Sequence, residues 1–234
     1  MKGSLQFPEL MKSSLFQDLP ADFRADFLDH CSIRAVDEAT VILSQDDRLE
    51  GMYLIAYGHV EISYLSPDGT VSIIHHARVG ETFGEIEALS DRTCVATCTA
   101  GANTTLLFYP TPLLFESVRN VVFLRNIMRL TYDRLVRDNQ SKYVDQHFSV
   151  ERRLCAYLLK LSQRSAEITK SQSYIASVAG CSRQTVNKEL GVLRAQGVIS
   201  VEKGTIRILH RAALVARVET PDGDNLRASL ISGN

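Results

Sequence analysis

The chain has 234 residues, of which 45% are hydrophobic and 23% charged, and its formal net charge at pH 7 is −1. This length suits one large or two modest globular domains, each able to bury a core. No run approaches the roughly 18 consecutive apolar residues that a membrane span requires. Residues 1–6 lack the apolar core of a secretory signal, so we expect a cytoplasmic protein without membrane contact.

The charge is distributed unevenly along the chain. Residues 1–145 carry 13 Lys/Arg and 20 Asp/Glu, whereas residues 146–211 carry 11 Lys/Arg and 4 Asp/Glu. A basic segment joined to an acidic one is typical of a nucleic-acid-binding module attached to a sensing module.

The cysteines argue against a disulfide framework and against a metal site. There are five of them, an odd number, at positions 31, 94, 98, 155 and 181. Only Cys94 and Cys98 are close, and neither a CxxC motif nor clustered histidine accompanies them. We expect reduced, mostly buried thiols. A redox contact between Cys94 and Cys98, four apart on one predicted strand, is the alternative.

Short β-rich runs follow a helical amino-terminal segment. Apolar side chains at helical spacing predict one or two short helices within residues 7–31, broken at Pro20. Between Ile33 and Tyr109, turn signals such as Ser66-Pro67-Asp68-Gly69 separate the runs. Several short antiparallel strands at this spacing indicate a β-roll or jelly-roll barrel. The predicted strands are residues 40–43, 52–56, 59–64, 71–75, 94–99 and 104–109.

A long helix is predicted from Leu113 to about Asn139. Its seam recurs at steps of 4, 3 and 4, as in a two-stranded coiled coil, and consists of Leu124, Met128, Thr131 and Leu135. This seam predicts a homodimer contact; the alternative is a helix packed on its own barrel. Charged side chains occupy outer positions in this interpretation, at Arg125, Arg129, Asp133, Arg134 and Arg137. The polar run at residues 137–142 predicts a hinge.

The segment from Ser171 to Leu193 has the features of a helix-turn-helix. Ser171 is a good N-cap for a first helix, Gly180 allows a sharp turn, and Ser182 is a good N-cap for a second helix. On the second helix, at about residues 182–195, apolar side chains at 186, 190 and 193 face the core. The outer face near its amino end carries Arg183, Gln184, Asn187 and Lys188.

These outer residues suit the reading of a DNA duplex, because the amino end of such a helix enters the major groove. Arg183 can donate two hydrogen bonds to guanine, Gln184 suits adenine, and Lys188 can reach a base or a phosphate. Ser182 and Thr185 can donate to a phosphate that the helix terminus also attracts. The predicted DNA-binding residues are Ser171, Ser182, Arg183, Gln184, Thr185, Asn187 and Lys188. Residues 197–201 and 205–209 predict a hairpin beside the helix, the wing, and a helical turn follows near residues 212–218.

At this point the chain resembles the Crp/Fnr regulators of bacterial transcription. Residues 181–186 closely match the family's G-C-S-R-E-T-V segment, with Gln184 in place of the usual glutamate, and residues 193–200 match its wing phrase. Residues 15–20, 53–60, 66–69 and 83–86 look like the family's opening, barrel strands and F-G-E ligand loop. The resemblance covers about residues 10–215 and implies a β-barrel, a dimerisation helix and a winged helix.

The resemblance also suggests candidate effector-binding residues. In cyclic-nucleotide-binding relatives, the F-G-E glutamate takes a ribose hydroxyl, and a later arginine followed by Ser or Thr takes the phosphate. Gly84 and Glu85 fit the first half, but Cys94 occupies the arginine position, and Arg92 with Thr93 comes two residues early. A two-residue shift keeps a strand side chain on the same face, so Arg92 could still point inward. The alternative is that Glu85 and Arg92 are structural remnants.

Other sensor types known in the family find less support. The amino-terminal cysteine cluster of the iron–sulfur branch is missing, because Cys31 stands alone. His75 and His76 are adjacent on a predicted strand, so only one can face inward toward a haem. The effector is therefore unidentified, and the cofactor is unknown.

We predict an α+β chain that is a DNA-binding transcription regulator and not an enzyme. The predicted parts are a β-roll sensor at residues 1–112, a dimerisation helix and hinge at 113–145, a winged helix-turn-helix at 146–218, and a flexible tail at 219–234. The expected partners are a second copy, palindromic promoter DNA, RNA polymerase and a small-molecule or redox signal. The alternatives are a regulator that responds to cAMP or cGMP, and a cyclic-nucleotide signalling module whose basic domain contacts protein.

Overall fold

The computed structural model describes residues 2–69, 71–162, 165–202 and 204–219. The chain divides into two compact units, between Arg137 and Asp138. None of the helices in the described ranges is long and apolar enough to cross a membrane.

The first unit opens with short helical segments. Helix α1 (Gly3–Gln6) is followed by 3₁₀ turns at Pro8–Lys12 and Ser14–Phe16 and by helix α2 (Ala21–Asp29). Pro20 lies immediately before α2, where a helix tolerates proline because the first backbone N–H groups have no partner within the helix. The predicted break at Pro20 is confirmed.

The predicted antiparallel β-roll is confirmed, with eight strands among the residues that the structure describes. They lie in two four-stranded sheets, in the order β1-β8-β3-β6 and β2-β7-β4-β5. Helix α3 (Glu85–Ser90) interrupts the strands after β6. The strands are β1 (Ser32–Val36), β2 (Thr40–Leu43), β3 (Gly51–Tyr57), β4 (His59–Leu65), β5 (Val71–Arg78), β6 (Thr82–Phe83), β7 (Thr97–Ala100) and β8 (Thr104–Pro110).

The strand predicted at residues 94–99 begins later than its sequence suggested. Strand β7 starts at Thr97, and Cys94 lies in the preceding loop. There the Cys94 N–H donates to the Asp47 carbonyl and the Asp46 N–H donates to the Cys94 carbonyl, both at 2.8 Å. Because these hydrogen bonds tie Cys94 to a distant loop, Cys94 and Cys98 do not share a strand, and that expectation was wrong.

Two apolar clusters fill the first unit. One lies between the sheets and includes Val60, Ala100 and Leu106. The other joins the sheet to the helices: the Phe27 ring of α2 stacks on Tyr109 at 3.7 Å between centroids and lies 5.5 Å from the Phe123 ring. Burial of these aromatic rings anchors the next long helix to the β-roll.

Helices α4 (Thr111–Ser117) and α5 (Val121–His147) follow the last strand. The prediction of one long helix from Leu113 was wrong at its start, because the chain turns after Ser117 and Asn120 Oδ1 accepts from the Val122 N–H at the beginning of α5. The run at residues 137–142, where a hinge is predicted, is helical, because α5 continues through His147, and the boundary between the two compact units falls at its start, after Arg137. Its polar side chains are compatible with a solvent-exposed helix, so polarity alone did not signal a break. The helix ends before Ser149, which caps α6 by accepting a hydrogen bond from the Arg152 N–H.

The second unit is the predicted winged helix-turn-helix. Its elements are α6 (Val150–Leu161), β9 (Glu167–Ile168), α7 (Gln172–Ala179), α8 (Arg183–Ala195), β10 (Ile199–Glu202), β11 (Thr205–Ile208) and α9 (Arg211–Glu219). The strands form an antiparallel sheet in the order β10-β11-β9. Its own core includes Leu154, Leu158, Ile175, Leu190 and Leu214. The tail predicted at 219–234 lies outside the described residues from position 220 onward.

Candidate nucleic-acid interface and sensor site

Two serine caps and one glycine fix the joint between α7 and α8. The Ser171 hydroxyl accepts from the Tyr174 N–H at 3.1 Å, and the Ser182 hydroxyl accepts from the Thr185 N–H at 3.1 Å. Gly180 between the helices has φ of 61°, which glycine adopts without a Cβ clash. Each cap satisfies a backbone donor that the helix leaves unpaired. The turn geometry is therefore encoded locally.

Helix α8 has one buried and one exposed face. Val186, Leu190 and Leu193 are almost completely buried in the core of the second unit. The exposed face near the amino end consists of Arg183, Gln184, Asn187 and Lys188. Six of the seven predicted DNA-binding residues thus lie together at the start of α8 and its cap, while Ser171 lies at the start of α7 instead.

The amino end of α8 presents positive potential to solvent. Its first turn contains no acidic residue. Within the described ranges, neither Arg183 nor Lys188 is held in an ion pair. The helix macrodipole adds partial positive charge at the same end.

One constraint was not apparent from sequence: the Ser182 and Thr185 hydroxyls lie 2.8 Å apart and hydrogen bond to each other.

The guanidinium of Arg217, on α9, contacts the carboxyl end of α8, the end opposite to Arg183. Its guanidinium donates to Glu151 Oε1 of α6 at 3.2 Å and to Gln196 Oε1, at the end of α8, at 2.6 Å. Sequence reasoning missed Arg217, because its partners are 66 and 21 positions away and no local pattern links them.

Lys170 adds a further cation next to the first cap. Its ammonium group lies 4.7 Å from the centre of the Tyr174 ring, while the residue remains exposed beside Ser171. A cation at this distance from an aromatic face is attracted by the ring quadrupole. The sequence prediction did not include Lys170.

An exposed apolar stripe runs along α5. Leu124, Met128 and Leu135 are 41%, 55% and 59% exposed, and Thr131 is half-buried, with its hydroxyl donating to the Ile127 carbonyl at 2.9 Å. Val121 and Tyr132, which the periodicity did not single out, are also exposed. Phe123 and Ile127 are buried against the β-roll. Helix α5 therefore packs on its own unit by one face and leaves a second apolar face uncovered.

Glu85 is completely buried, and a side chain of α5 neutralises it. The Arg134 guanidinium pairs with Glu85 Oε1 and donates to the Thr82 carbonyl at 2.6 Å. Glu85 Oε2 is buried without a hydrogen-bond partner among the described groups. Gly84 precedes α3 with φ of 84°. The expectation that Arg134 and Arg137 are outer residues was wrong. The Arg134 side chain is only 26% exposed and its guanidinium contacts the β-roll, where it provides the paired charge that the buried carboxylate requires. The Arg137 guanidinium contacts His75 of β5.

Arg92 and Thr93 occupy a different place from Glu85. Both are exposed and lie in the loop between α3 and β7, not on a strand. Arg92 lines a surface cavity of about 680 Å³, whose walls include Arg48, Phe108 and Phe115 but not Glu85. The expectation that Arg92 points inward from a strand was wrong, because Arg92 lies in a loop, where the alternation of side chains along a strand does not apply.

The cysteines and potential metal ligands show no reactive centre. Burial raises the pKa of the Cys98 thiol to about 12 and that of the Cys94 thiol to about 11. A thiol in this environment is a poor nucleophile, since the thiolate is the reactive form. All five cysteines are free, and no group of three or more potential metal ligands occurs among the described residues.

Comparison with known proteins decides the family. Residues 152–217 match the Crp-like helix-turn-helix domain, and residues 33–119 match the cyclic nucleotide-binding domain, which together cover more than half of the chain. The chain belongs to the Crp/Fnr family of transcription regulators.

This Crp/Fnr protein is similar to several other proteins over most of its length. The cyclic AMP receptor protein of Thermus thermophilus is 26% identical over 207 residues, which are 86% of this chain and 95% of that protein. A Crp/Fnr-family protein of Eubacterium rectale superposes with a TM-score of 0.78 at 17% identity, covering 88% and 98% of the two chains. The c-di-GMP-responsive regulator CLP of Xanthomonas campestris gives a TM-score of 0.73 at 19% identity, covering 81% and 99%.

Proposed function

We propose that this Crp/Fnr regulator acts as a homodimer that reads a palindromic operator in promoter DNA through the amino end of α8. The observation that carries this proposal is the capped, exposed face of Arg183, Gln184, Asn187 and Lys188 on a helix whose other face is buried. Side chains of these types have the hydrogen-bond geometry to read base edges in the major groove. A helix that served only packing or protein docking has no requirement for this set.

Selection of bound duplexes from a random library tests the proposal. We expect enrichment of an inverted repeat that contains a guanine in each half-site. The control is the Arg183→Ala protein, which keeps the N-cap and the buried face of α8 and is expected to enrich the repeat poorly. A library that returns no enriched sequence with the unaltered protein would contradict the proposal.

The second copy is proposed from the exposed stripe on α5. Leu124, Met128 and Leu135 recur at coiled-coil spacing and are at least two-fifths exposed. Contiguous exposed apolar surface on a helix commonly marks an interface. A dimer in which two α5 helices pair would cover this stripe and place two α8 helices on one duplex. RNA polymerase is the protein partner that a promoter-bound regulator would meet.

Response to a cyclic nucleotide is a second candidate, favoured by one observation. Glu85 Oε2 is buried and unpartnered, so it can accept a hydrogen bond from a ligand hydroxyl. The exposed position of Arg92 leaves the phosphate without the arginine that the family resemblance implies. Among the similar proteins named above, one is a cyclic AMP receptor protein and another is a c-di-GMP-responsive regulator, so the fold alone does not select the effector. Calorimetric titration with cAMP, cGMP and c-di-GMP, with Glu85→Gln as control, tests this candidate; no heat from any nucleotide would contradict it.

A further inference from the structure

One ring nitrogen of His75, on β5, lies between a carboxylate, which can only accept a hydrogen bond, and a guanidinium, which can only donate one. Its Nε2 lies 2.7 Å from Glu81 Oε2 and 3.2 Å from Arg137 Nη1. The ring is mostly buried, with its side chain 18% exposed. Glu81 precedes β6, and Arg137 belongs to α5, one helical turn after Arg134. The ring therefore connects the strand to the long helix.

The two contacts cannot both be hydrogen bonds at the same time. An arginine N–H only donates, and a carboxylate only accepts. When Nε2 carries no proton, it can accept from Arg137 but offers nothing to Glu81. When Nε2 is protonated, it donates to Glu81 and has no lone pair left for Arg137. A doubly protonated ring also places a positive charge beside the guanidinium.

We propose that His75 is a proton-controlled catch between the β-roll and α5: the neutral ring holds Arg137, and the protonated ring releases Arg137 and holds Glu81 instead. Histidine is the side chain whose charge ordinarily changes between about pH 5 and pH 8. Only the regulatory role of this catch rests on the proposed function. The catch itself is a property of the first unit.

The other groups around the ring support this assignment. Burial tends to raise the pKa of the Glu81 carboxyl, but the hydrogen bond and charge of His75 and the charge of Arg137 outweigh burial and leave that pKa lowered. The lowered pKa favours the charged form of Glu81, which can accept a hydrogen bond from the ring. Arg137 Nε is buried without a hydrogen-bond partner among the described groups, and Arg137 Nη1 of the same guanidinium contacts His75.

The charged groups in contact with the ring are Glu81, before β6, and Arg137 of α5. Arg134 of α5 pairs with Glu85 of α3 and attaches the helix to the β-roll without a histidine. On β5 itself, His76 and Arg78 lie on the opposite face of the strand from His75, and His76 is 3.9 Å from Glu61 of β4. Loss of the Arg137 contact therefore loosens the helix beyond Arg134 and leaves the earlier attachment in place.

Hydrogen exchange of the α5 amides in the full-length protein tests the catch. After correction for intrinsic exchange, the amides around Arg137 should exchange several-fold faster at about pH 5.5 than at about pH 8, while those near Ile127 should not change. His75→Gln should abolish this dependence, because an amide side chain can accept from Arg137 and donate to Glu81 without titrating. His76→Gln is the matched control on the same strand and should keep the dependence.

A measurement on the unaltered protein keeps the proposal testable if the variant fails to fold. Nitrogen NMR of the histidine rings should show His75 protonated on Nδ1 alone at high pH and on both nitrogens at low pH. A neutral ring protonated on Nε2, or identical exchange in the unaltered and His75→Gln proteins, would overturn the catch. Both measurements are made without DNA, so a protein that binds no duplex but shows the switch would overturn the proposed function alone.

Discussion

Arg183 and Lys188 are both exposed cations on α8, but they differ in what they can read. The guanidinium can form two parallel hydrogen bonds with guanine, whereas the ammonium is a point charge suited to phosphate. We expect Arg183→Ala to cost about 1–3 kcal/mol of binding free energy and to relax the preference at one guanine in each half-site. Lys188→Ala should weaken binding to all sequences more evenly.

Fluorescence anisotropy with the selected operator and its single-base variants measures both effects. The two substitutions serve as controls for each other, because each removes one positive charge from the same face. An equal loss on every sequence for Arg183→Ala would show that this side chain contacts the backbone and not a base.

The next prediction concerns Gln184 and the preference at a single base pair. Glutamine suits adenine N6 and N7, whereas glutamate accepts from cytosine N4. Gln184→Glu should therefore move the preference at one base pair beside the guanine toward cytosine, and a repeat of the duplex selection measures the shift. An unchanged operator would mean that Gln184 points toward backbone or water; the DNA-binding proposal would survive this result.

At the scale of the element, α5 offers the sharpest test of assembly. Leu124→Glu together with Leu135→Glu places charge on the exposed stripe and should leave the buried Phe123 face intact. We expect the unaltered protein to sediment at twice its 26.1 kDa and the double variant to sediment as a monomer with unchanged circular dichroism.

The matched control for this experiment is Arg125→Glu with Asp133→Arg. Both of these residues are exposed on α5 but lie outside the apolar stripe. A dimer that survives in the Leu124/Leu135 variant, or an unaltered protein that is monomeric at micromolar concentration, would contradict pairing through α5.

Elements whose signals are local were predicted well from sequence. The boundaries and faces of α8 follow from the Ser182 cap and from the spacing of Val186, Leu190 and Leu193, which are all within one helix. The antiparallel β-roll likewise follows from short runs and turns. Strand β6 was missed because it has only two residues, and β1 because most of its side chains are exposed and show no alternation.

The surroundings of Glu85 and Arg92 could not be predicted because the contacts there join residues that are distant in sequence. Arg134 reaches Glu85 across 49 positions, and periodicity assigned it to the outer face since the seam fixes only one side of a helix. Arg92 was considered for a strand, but hydrogen bonds between Cys94 and the Asp46–Asp47 loop hold the neighbouring backbone in another conformation. Such pairings depend on tertiary packing, which no local pattern encodes.

At the scale of the molecule, the two-fold symmetry of the proposed dimer predicts the spacing of the two half-sites in the operator. A dimer that presents one α8 from each protomer should protect two half-sites whose centres lie about one helical turn apart, roughly 34–36 Å. Footprinting of the selected duplex measures this spacing. Insertion of five base pairs between the half-sites, about half a turn, rotates one site to the far side of the helix and should abolish high-affinity binding. Tolerance of the insertion would mean that the protein binds single sites.

The division of the chain into two units of opposite charge also affects how the regulator meets DNA. Each unit has its own core, and the excess of Lys and Arg lies in residues 146–211 while the excess of Asp and Glu lies in residues 1–145. Because DNA is a polyanion, it attracts residues 146–211 and repels residues 1–145. Long-range electrostatic forces therefore favour encounters in which the exposed amino end of α8 approaches the DNA first. The association rate should therefore fall steeply as added salt screens these forces, even where the final contacts with the bases are unchanged.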